Sequence, residues 1–374
     1  MKRLGMLGGV AAGLVASALI VAIGGLARGN VRPTTKLVAE DASAPLSRIA
    51  IHYAPGNDRV ALPVWRDLFT TLPPSVRVDV EVTAAPDFDR LLRKLRSAEV
   101  PNLDRLHVVV VGAPITTWSR DRYAALVDED GHGSILAPPR VETPFQKRAG
   151  DASSPAAISR AAYDRDPTIA NIVFEGGDLA ATPRWVFADA NLANRNVGRT
   201  TADRASIEAE LHRRLGQDIV WLGSEVGDVP RHHIMMYMMP LDDGTVAVGD
   251  VREGVRLLAT EPEGADLALA DTEVEAARFD RAAGQLAAMG FRVVRVPAVV
   301  LAGAGSYVTY TNALFDRRGD QKIVYLPTYA LPALDAAGTA FWEGQGFEVH
   351  PIDVSSIYKL NGSLGCLVNV LARE

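Results

Sequence analysis

The chain approaches its end through Asn361-Gly362-Ser363-Leu364-Gly365-Cys366-Leu367-Val368-Asn369-Val370, a glycine-rich segment that leads to a cysteine and then to an apolar run. Cys366 is the only cysteine among 374 residues. Glycine lets the backbone approach a ligand closely or adopt a positive φ angle, and a thiol with a lowered pKa is a strong nucleophile near neutral pH. A lone cysteine is also commonly a small buried hydrophobe, so the rest of the chain must decide between these two interpretations.

The composition is that of a globular protein with a mixed surface. The chain is 48% hydrophobic and carries a formal net charge of −6, and its length suits one large domain or two ordinary ones. Acidic and basic residues are interspersed, so the chain lacks the basic stripe that nucleic-acid binding requires. A single cysteine excludes an internal disulfide framework and a cysteine-rich zinc site.

The first 28 residues differ from the rest of the chain. Lys2 and Arg3 precede an apolar run from Leu4 to Ala27, which Arg28 closes. This run is long enough to cross a bilayer as one hydrophobic helix. We expect residues 1–28 to be a signal-anchor or signal peptide of a bacterial protein, with the following domain extracytoplasmic and either anchored or secreted. Residues 29–46 are polar and contain proline, and they predict a linker.

From residue 47 onward, short strand and helix patterns alternate without a break in composition, which predicts one α/β domain over residues 47–374. Val76–Val82 alternates apolar and polar residues, as a half-buried strand does. Expectations for other elements are strands over Arg48–Tyr53, Thr309–Phe315 and Phe347–Pro351 (the closing strand), a helix over Val64–Leu72 after Pro63, an Asn/Arg-rich loop after Arg184–Ala188, and a surface excursion over Pro138–Thr168.

Five polar signatures lie in this alternating background. They are Trp118-Ser119-Arg120-Asp121, Phe174-Glu175-Gly176-Gly177-Asp178, His232-His233-Ile234-Met235-Met236, Thr309-Tyr310-Thr311-Asn312-Ala313-Leu314 and Gly362 to Cys366. By subtraction, the gaps between Asp121, Glu175, His233, Asn312 and Cys366 are 54, 58, 79 and 54 positions. A roughly constant period indicates repeated structural units. We expect each unit to deliver one polar group to a shared centre.

In this order, the signatures resemble those of the guanidine-modifying pentein superfamily, and within it those of agmatine deiminases and bacterial-type peptidylarginine deiminases. The likeness rests on W-x-R-D, E-G-G-D, H-x-x-M, Y-x-N-A-L and a glycine-rich loop that ends in cysteine, and it extends from Arg48 to Glu374. The resemblance implies a five-bladed α/β propeller with pseudo-fivefold symmetry. It also implies chemistry at the carbon of a guanidinium group, with no metal or organic cofactor.

The resemblance assigns catalytic roles to four residues. Asp121 matches a carboxylate that holds the substrate guanidinium, a planar cation that a carboxylate binds through two hydrogen bonds. Glu175 matches a second acid that serves the guanidinium and the histidine. Cys366 is expected to attack the guanidinium carbon and form a covalent thiouronium intermediate. His233 is expected to protonate the departing ammonia and then to activate water.

Four further residues are expected to bind substrate, and one choice remains between neighbours. The substrate-binding candidates are Trp118, Arg120, Asp178 and Asn312. His232 and His233 would point to opposite faces if they lay on a strand. We choose His233 because the family's catalytic histidine precedes an aliphatic residue, as His233 precedes Ile234.

One position departs from the family pattern. Deiminases of this family usually carry an aspartate two positions after the catalytic histidine, where this chain has Met235. A methionine cannot accept the strong hydrogen bond that a carboxylate accepts from a guanidinium. Three explanations stand: the substrate is an N-substituted guanidine, another acid such as Asp178 supplies the charge, or the protein binds guanidinium without turnover.

These observations predict a guanidino-group hydrolase that converts an arginine-like or agmatine-like guanidinium, free or in a peptide, to a ureido group. A guanidinium-binding protein without catalysis is the second hypothesis. A thiol hydrolase of esters or amides is the third, and the expected acidic cluster disfavours it because carboxylates repel an oxyanion. We expect no nucleic-acid partner, and membrane contact only through the N-terminal helix.

Overall fold

The computed structural model describes residues 33–139, 146–200, 203–264, 266–303 and 305–374. The predicted N-terminal helix of residues 1–28 and the start of the predicted linker lie outside these ranges. Among the described residues, none of the helices combines the length and the apolar character needed to cross a bilayer.

Eighteen strands form five separate sheets within the described ranges. In chain order they are β1 (Lys36–Leu37), β2 (Leu46–Tyr53), β3 (Arg77–Val82), β4 (Leu106–Val110), β5 (Ala124–Val127), β6 (Gly133–Ala137), β7 (Thr168–Ile169), β8 (Ala180–Ala181), β9 (Trp185–Asp189), β10 (Asp218–Leu222), β11 (Met238–Pro240), β12 (Thr245–Asp250), β13 (Arg292–Val300), β14 (Tyr307–Thr309), β15 (Leu314–Arg318), β16 (Gln321–Thr328), β17 (Phe347–Asp353) and β18 (Val368–Arg373). The sheets have the orders β1-β5-β6-β7, β10-β9-β8, β11-β12-β13-β14, β15-β16-β17 and β18-β2-β3-β4.

The α-helices of the described ranges connect these strands. They are α1 (Asp58–Thr71), α2 (Ala85–Ser97), α3 (Ser154–Tyr163), α4 (Ala190–Asn196), α5 (Arg204–Arg214), α6 (Val251–Leu258), α7 (Thr272–Ala288), α8 (Pro332–Gly344) and α9 (Leu364–Leu367). Short 3-10 turns precede several strands, and three of them, Ser119–Asp121, Gly176–Asp178 and Ile234–Met236, carry parts of the polar signatures.

Each sheet repeats the same arrangement around one strand. Strands β6, β9, β12, β16 and β2 each pair antiparallel with the strand before them in the unit and parallel with the strand after them. A parallel pair needs a long crossover, and a helix supplies it in every unit. In one unit the first strand is β18 from the C-terminus, which pairs with β2 and so joins the two ends of the domain. The predicted α/β class and repeated units are confirmed.

The strand β3 shows how the core accepts charged residues. The alternation over Val76–Val82 predicted a half-buried strand, but every residue from Val78 to Val82 is buried, including Asp79 and Glu81. β3 is an inner strand with parallel neighbours at both edges, and helices α2 and α3 pack against it, which leaves it no solvent face. The carboxylate of Asp79 pairs with Arg48 at 2.5 Å, and Glu81 accepts a hydrogen bond from Tyr123 at 2.8 Å. The prediction of a half-buried strand was therefore wrong.

Several element boundaries also differ from the sequence predictions. Helix α1 begins at Asp58 and contains Pro63, because the 3-10 turn Pro55–Asn57 starts the helical path earlier. The expected strand Thr309–Phe315 is divided into β14 and β15 by the segment that carries Asn312. The expected Asn/Arg-rich loop is helix α4, which the carboxylate of Asp189 caps. The closing strand is β18 rather than β17.

Two segments that the sequence placed at the surface are packed into the fold. In the second half of the predicted linker, β1 pairs with β5, and Glu40 forms an ion pair with Arg120 at 2.5 Å. In the predicted surface excursion, Ile158 is fully buried on α3, and the buried Asp151 accepts hydrogen bonds from Thr116. Both segments are therefore structural parts of the domain within the described residues.

A pair of glycines in helices tests this packing. A Cβ at Gly254 of α6 would collide with the backbone of Ala298 on β13, whereas a Cβ at Gly284 of α7 has open space. We expect Gly254→Ala to lower the free energy of unfolding by about 1–3 kcal/mol through overpacking. We expect Gly284→Ala to raise it by about 0.5–1 kcal/mol, because alanine loses less backbone entropy in a helix. Urea denaturation of both variants checks this, and equal effects would contradict the packing described.

Candidate active site

The five key residues occupy the same position in their units. Asp121, Glu175, His233, Asn312 and Cys366 lie immediately before β5, β8, β11, β15 and β18, the strands that open each antiparallel pair. This common position agrees with the expectation that every unit supplies one polar residue. The repeated architecture, rather than any single loop, therefore determines where these side chains can lie.

Glycines allow two close approaches that build the site. A Cβ at Gly177 would lie 2.5 Å from the ring of His233. A Cβ at Gly362 would overlap the ring of Trp118. Any other residue at these positions would push the histidine or the tryptophan away. The glycine-rich turns of the E-G-G-D signature and the C-terminal loop thus serve packing around the site.

The imidazole of His233 is held by a carboxylate. Its Nε2 atom lies 2.9 Å from Oε2 of Glu175, and its side chain is almost completely buried. Burial lowers the pKa of His233, but the neighbouring Cys366, the hydrogen bond with Glu175 and the charge of Asp121 outweigh burial and hold the pKa well above its ordinary value. His233 is therefore protonated near neutral pH and positioned to donate a proton.

The neighbouring His232 has a different environment. Its backbone adopts a left-handed conformation with φ of 77°, so the two histidines do not lie on a strand as expected. Their rings meet edge to face, with centroids 4.4 Å apart. Burial and the positive charge of His233 lower the pKa of His232 to about 3. His232 is therefore neutral, and the geometry agrees with the choice of His233.

Two arginines that the sequence interpretation missed bind the site carboxylates. Arg148, in the 3-10 turn Gln146–Ser153, donates a hydrogen bond to Oδ2 of Asp121 and lies 3.7 Å from Oε1 of Glu175. Arg195, on α4, lies 3.1 Å from Oε2 of Glu175 and 2.7 Å from Oδ2 of Asp178. Arg148 belongs to the charged excursion and Arg195 to the Asn/Arg-rich stretch, and neither shows a motif or spacing that signals its role.

The surroundings shift the pKa values of the two site acids, Asp121 and Glu175, in opposite directions. Burial and the nearby charge of Glu175 raise the pKa of Asp121, against the effect of Arg148. Burial also opposes ionisation of Glu175, but hydrogen bonding with His233 and the charge of Arg195 hold its pKa well below the usual range. Glu175 is therefore a permanent anion that stabilises the protonated histidine.

The thiol of Cys366 lies at the apolar side of the site. Cys366 is 3% exposed, and its Sγ atom lies 3.7 Å from Oδ1 of Asn312 and 3.9 Å from Sδ of Met236. The amide N–H of Gly365 donates to the carbonyl of Asn312 at 3.2 Å, which ties the cysteine loop to the preceding unit. The predicted partners Cys366 and Asn312 are thus brought together.

Met235 occupies the position at which the resemblance led us to expect an aspartate. It is buried, with 2% exposure, and its backbone carbonyl accepts a hydrogen bond from Thr311 at 3.0 Å. Its Cε atom packs near Gly365, 3.3 Å from the position of a Cβ built there. With Met236 against the thiol, this side of the site is therefore apolar.

Three predicted substrate-binding residues make contacts within the protein. Arg120 is occupied by Glu40 and by the carbonyl of Leu179 at 3.2 Å. Oδ1 of Asp178 accepts a hydrogen bond from Arg195 at 2.9 Å and Oδ2 lies 2.7 Å from Nε of Arg195, so Asp178 does not offer the free charge suggested as a substitute for the missing aspartate. Trp118 packs against the cysteine loop at Gly362. These contacts of the three side chains hold other residues of the site in position.

The carboxylates and His233 also satisfy the spacing of a metal site. Ligand atoms of Asp121, Glu175 and His233 all lie within 4.8 Å of one another. Each of these groups already has a charged partner, and for the two acids that partner includes a guanidinium group, Arg148 for Asp121 and Arg195 for Glu175. The arrangement is therefore better suited to hydrogen bonding with a planar cation than to metal coordination.

Comparison with solved structures identifies the class of fold. C. jejuni agmatine deiminase matches at 15% identity over 91% of this chain and 97% of that chain, with a TM-score of 0.64. A form of that enzyme with substrate bound matches with a TM-score of 0.65, at 15% identity over 91% and 98% of the two chains. Agmatine deiminase of Enterococcus faecalis matches at 13% identity over 91% and 96%, with a TM-score of 0.64. The chain has a pentein-type fold.

The family follows from the sequence itself. Residues 60–370 match the family model of Porphyromonas-type peptidyl-arginine deiminases. The chain belongs to this family of hydrolases, which act on C–N bonds of amidines. A search of curated proteins finds no match. The resemblance inferred from the five signatures is confirmed.

The contact between Glu175 and His233 makes a prediction about protonation. Glu175→Gln keeps the shape of the side chain but removes the charge that favours the imidazolium, so we expect the pKa of His233 to fall. Titration of the imidazole resonances by NMR measures this, with His233→Asn as the assignment standard. Glu208→Gln, which removes a partner of Arg204 on α5, is the matched control and leaves the His233 titration unchanged. An unchanged His233 titration in Glu175→Gln would contradict the electrostatic coupling.

Proposed function

We propose that this protein hydrolyses the guanidinium group of an arginine-like or agmatine-like compound to a ureido group and releases ammonia. One observation supports this proposal above the others: Asp121 and Glu175 already bind a guanidinium group, that of Arg148, next to His233. A pair of buried carboxylates that holds one guanidinium is chemically suited to hold another. The substrate named for the C. jejuni and E. faecalis relatives, agmatine, carries that group.

In the first half of the proposed reaction, Cys366 acts as the thiolate. Its Sγ atom forms a bond to the guanidinium carbon and gives a neutral tetrahedral species. Protonated His233 transfers its proton to one amino group, the C–N bond breaks, and ammonia leaves. The product of this half is a cationic thiouronium intermediate and a neutral imidazole. Glu175 keeps the imidazole oriented throughout, because its carboxylate holds Nε2.

In the second half, neutral His233 takes a proton from water. The resulting hydroxide attacks the thiouronium carbon, the C–S bond breaks, and the thiolate of Cys366 departs from a ureido product. The released ammonia takes up the remaining proton. The cycle as proposed uses only side chains of the protein and water.

The apolar side of the site, formed by Met235 and Met236, affects which substrate would fit best. Met235 and Met236 lie beside Cys366, where a second carboxylate would otherwise contact the guanidinium. An alkyl substituent on a guanidinium nitrogen would be favoured there over a nitrogen with two unpaired N–H groups. We therefore retain an N-substituted guanidine as a candidate beside agmatine, free arginine and peptidyl-arginine. A guanidinium-binding protein without turnover remains the second candidate, because the same substitution weakens recognition of the reacting group.

The same proposal includes one statement about the fold and one about the location of the protein. Five sheets that each supply one site residue from the same position support a propeller of five blades around the site, with pseudo-fivefold symmetry. The hydrophobic sequence of residues 1–28 supports an extracytoplasmic location, anchored or secreted. An exported enzyme would meet peptidyl-arginine or small guanidines from the surroundings.

The reaction is tested with the full-length protein. We expect ammonia release and ureido formation from at least one of agmatine, arginine, N-methylarginine and an arginine-containing peptide. Cys366→Ala is expected to abolish turnover, because the covalent step is lost, and His233→Asn to reduce kcat by about 10²–10⁴-fold through loss of the general acid and base. His232→Asn, which suits the left-handed backbone, is the matched control and should keep most of the activity.

The outcomes separate the candidate functions. Cysteine-dependent turnover of any substrate in the panel supports the hydrolase, and the preferred substrate shows how the methionines contribute. Saturable binding of a guanidine to a folded protein without turnover would support the binding protein instead. Hydrolysis of p-nitrophenyl esters with no reaction of guanidines would favour a general thiol hydrolase.

A further inference from the structure

Arg148 lies where a bound guanidinium is expected to lie. One Nη atom donates to Asp121 and the other is 3.7 Å from Glu175, so its guanidinium spans the two acids assigned to substrate binding. Arg148 is not itself one of the five signature residues. Its side chain is 20% exposed, whereas the side chain of Asp121 is 6% exposed. The guanidinium of Arg148 thus reaches the buried acid from the more accessible side.

The anchoring of Arg148 differs from that of Arg195. Arg195 donates a hydrogen bond to Oδ1 of Asp178 at 2.9 Å, and its guanidinium also lies 2.7 Å from Oδ2 of Asp178 and 3.1 Å from Oε2 of Glu175, so three close carboxylate contacts hold it. The Nε atom of Arg148 lies 3.5 Å from Asp151, whose carboxylate is held by Thr116 at 2.7 Å. Asp151 is not one of the carboxylates assigned to substrate binding, and its own position is fixed. Arg148 can therefore keep its contact with Asp151 when its Nη atoms leave Asp121.

Arg148 occupies the carboxylate that a cationic substrate is expected to need. Three carboxylates, those of Asp121, Glu175 and Asp178, face the guanidinium groups of Arg148 and Arg195 and the imidazolium of His233. A substrate guanidinium that bound Asp121 while Arg148 stayed in place would put two like charges side by side in a buried site, which is costly at low dielectric. Binding of a cationic substrate at Asp121 therefore requires Arg148 to withdraw.

Asp121 retains unused binding capacity. Its Oδ1 atom is buried and has no hydrogen-bond partner among the described residues, while Oδ2 binds Arg148. A carboxylate binds a guanidinium most strongly through both oxygens. A guanidinium that engages both oxygens of Asp121 would therefore replace the single hydrogen bond that Arg148 makes.

We propose that Arg148 is a resident competitor of the substrate: its own guanidinium occupies the substrate position at Asp121 and must be displaced by the guanidinium of the substrate. This inference rests on the proposed role of Asp121 in substrate binding. A planar cation with two parallel N–H groups can replace the hydrogen bond of Arg148 to Asp121 and also donate to the second oxygen of that carboxylate. A neutral amide cannot replace the charge, and an ammonium cannot reproduce the planar pair of N–H groups. Arg148 therefore competes with cationic ligands for Asp121, and a neutral ligand that does not bind this carboxylate gains less when Arg148 is removed.

The single cysteine allows a test that does not depend on turnover. Chloroacetamidine, a cationic alkylating agent, and chloroacetamide, its neutral counterpart, both alkylate a thiol, and in this chain only Cys366 can react. The ratio of their rate constants reports how well the site accepts an amidinium. We expect Arg148→Gln to raise this ratio at least about tenfold. This is the factor expected if Arg148 leaves Asp121 free in only about one tenth of the wild-type molecules.

Two further variants of the full-length protein make the test specific. Arg160→Gln removes an arginine paired with Asp166 on the same segment of chain, away from the site, and should leave the ratio at the wild-type value. Arg148→Lys keeps the positive charge but loses the planar fork, so the ratio should rise, though less than in Arg148→Gln. If Arg148→Gln does not fold, as judged by its circular dichroism, Arg148→Lys carries the test.

The results distinguish this inference from the proposed function. A ratio that stays unchanged or falls in Arg148→Gln overturns the displacement of Arg148, whatever the turnover. A wild-type ratio in Arg148→Lys also overturns it, since net charge rather than occupancy would then explain the Arg148→Gln result. A raised ratio in both variants supports it, even if none of the guanidines in the panel is hydrolysed, in which case only the proposed function fails.

Discussion

The site depends on the placement of buried carboxylates beside permanent cations. Glu175 is the central member, because it contacts His233 at 2.9 Å, Arg195 at 3.1 Å and Arg148 at 3.7 Å. A buried charge without a partner is strongly destabilising, so these groups constrain one another. The ionised Glu175 raises the pKa of His233, and the charged His233 in turn holds the pKa of Glu175 below its usual range. The same interactions that stabilise the cluster therefore prepare a proton donor next to the thiol.

The repeated unit explains how residues far apart in sequence reach this cluster. Each unit places one short turn before an antiparallel strand, and those turns carry Asp121, Glu175, His233, Asn312 and Cys366. The final unit is completed only when β18 pairs with β2, which brings the last strand of the chain next to the first long one. Assembly of the nucleophile is therefore coupled to closure of the domain, and a truncation of β18 would remove both.

The sequence was informative where one residue type has few chemical uses. The five polar signatures, taken in order with the cysteine last, sufficed to identify the family. The sequence was uninformative about partners. Arg120 and Asp178 looked available for substrate but are bound to Glu40 and Arg195, since a charge in a motif says nothing about which neighbour neutralises it. The charged segment around Arg148 was taken as surface for the same reason.

Sequence alone determined the α/β class, the repeated units and the family, because periodicity and spaced motifs are local properties of the chain. It also showed that Met235 replaces an expected acid. Only the tertiary structure decided that β3 is buried on both faces, that residues 36–46 pack onto the domain and that Arg148 and Arg195 bind the site acids. These features depend on contacts between distant segments, where burial and charge balance decide the partners, and no local pattern records them.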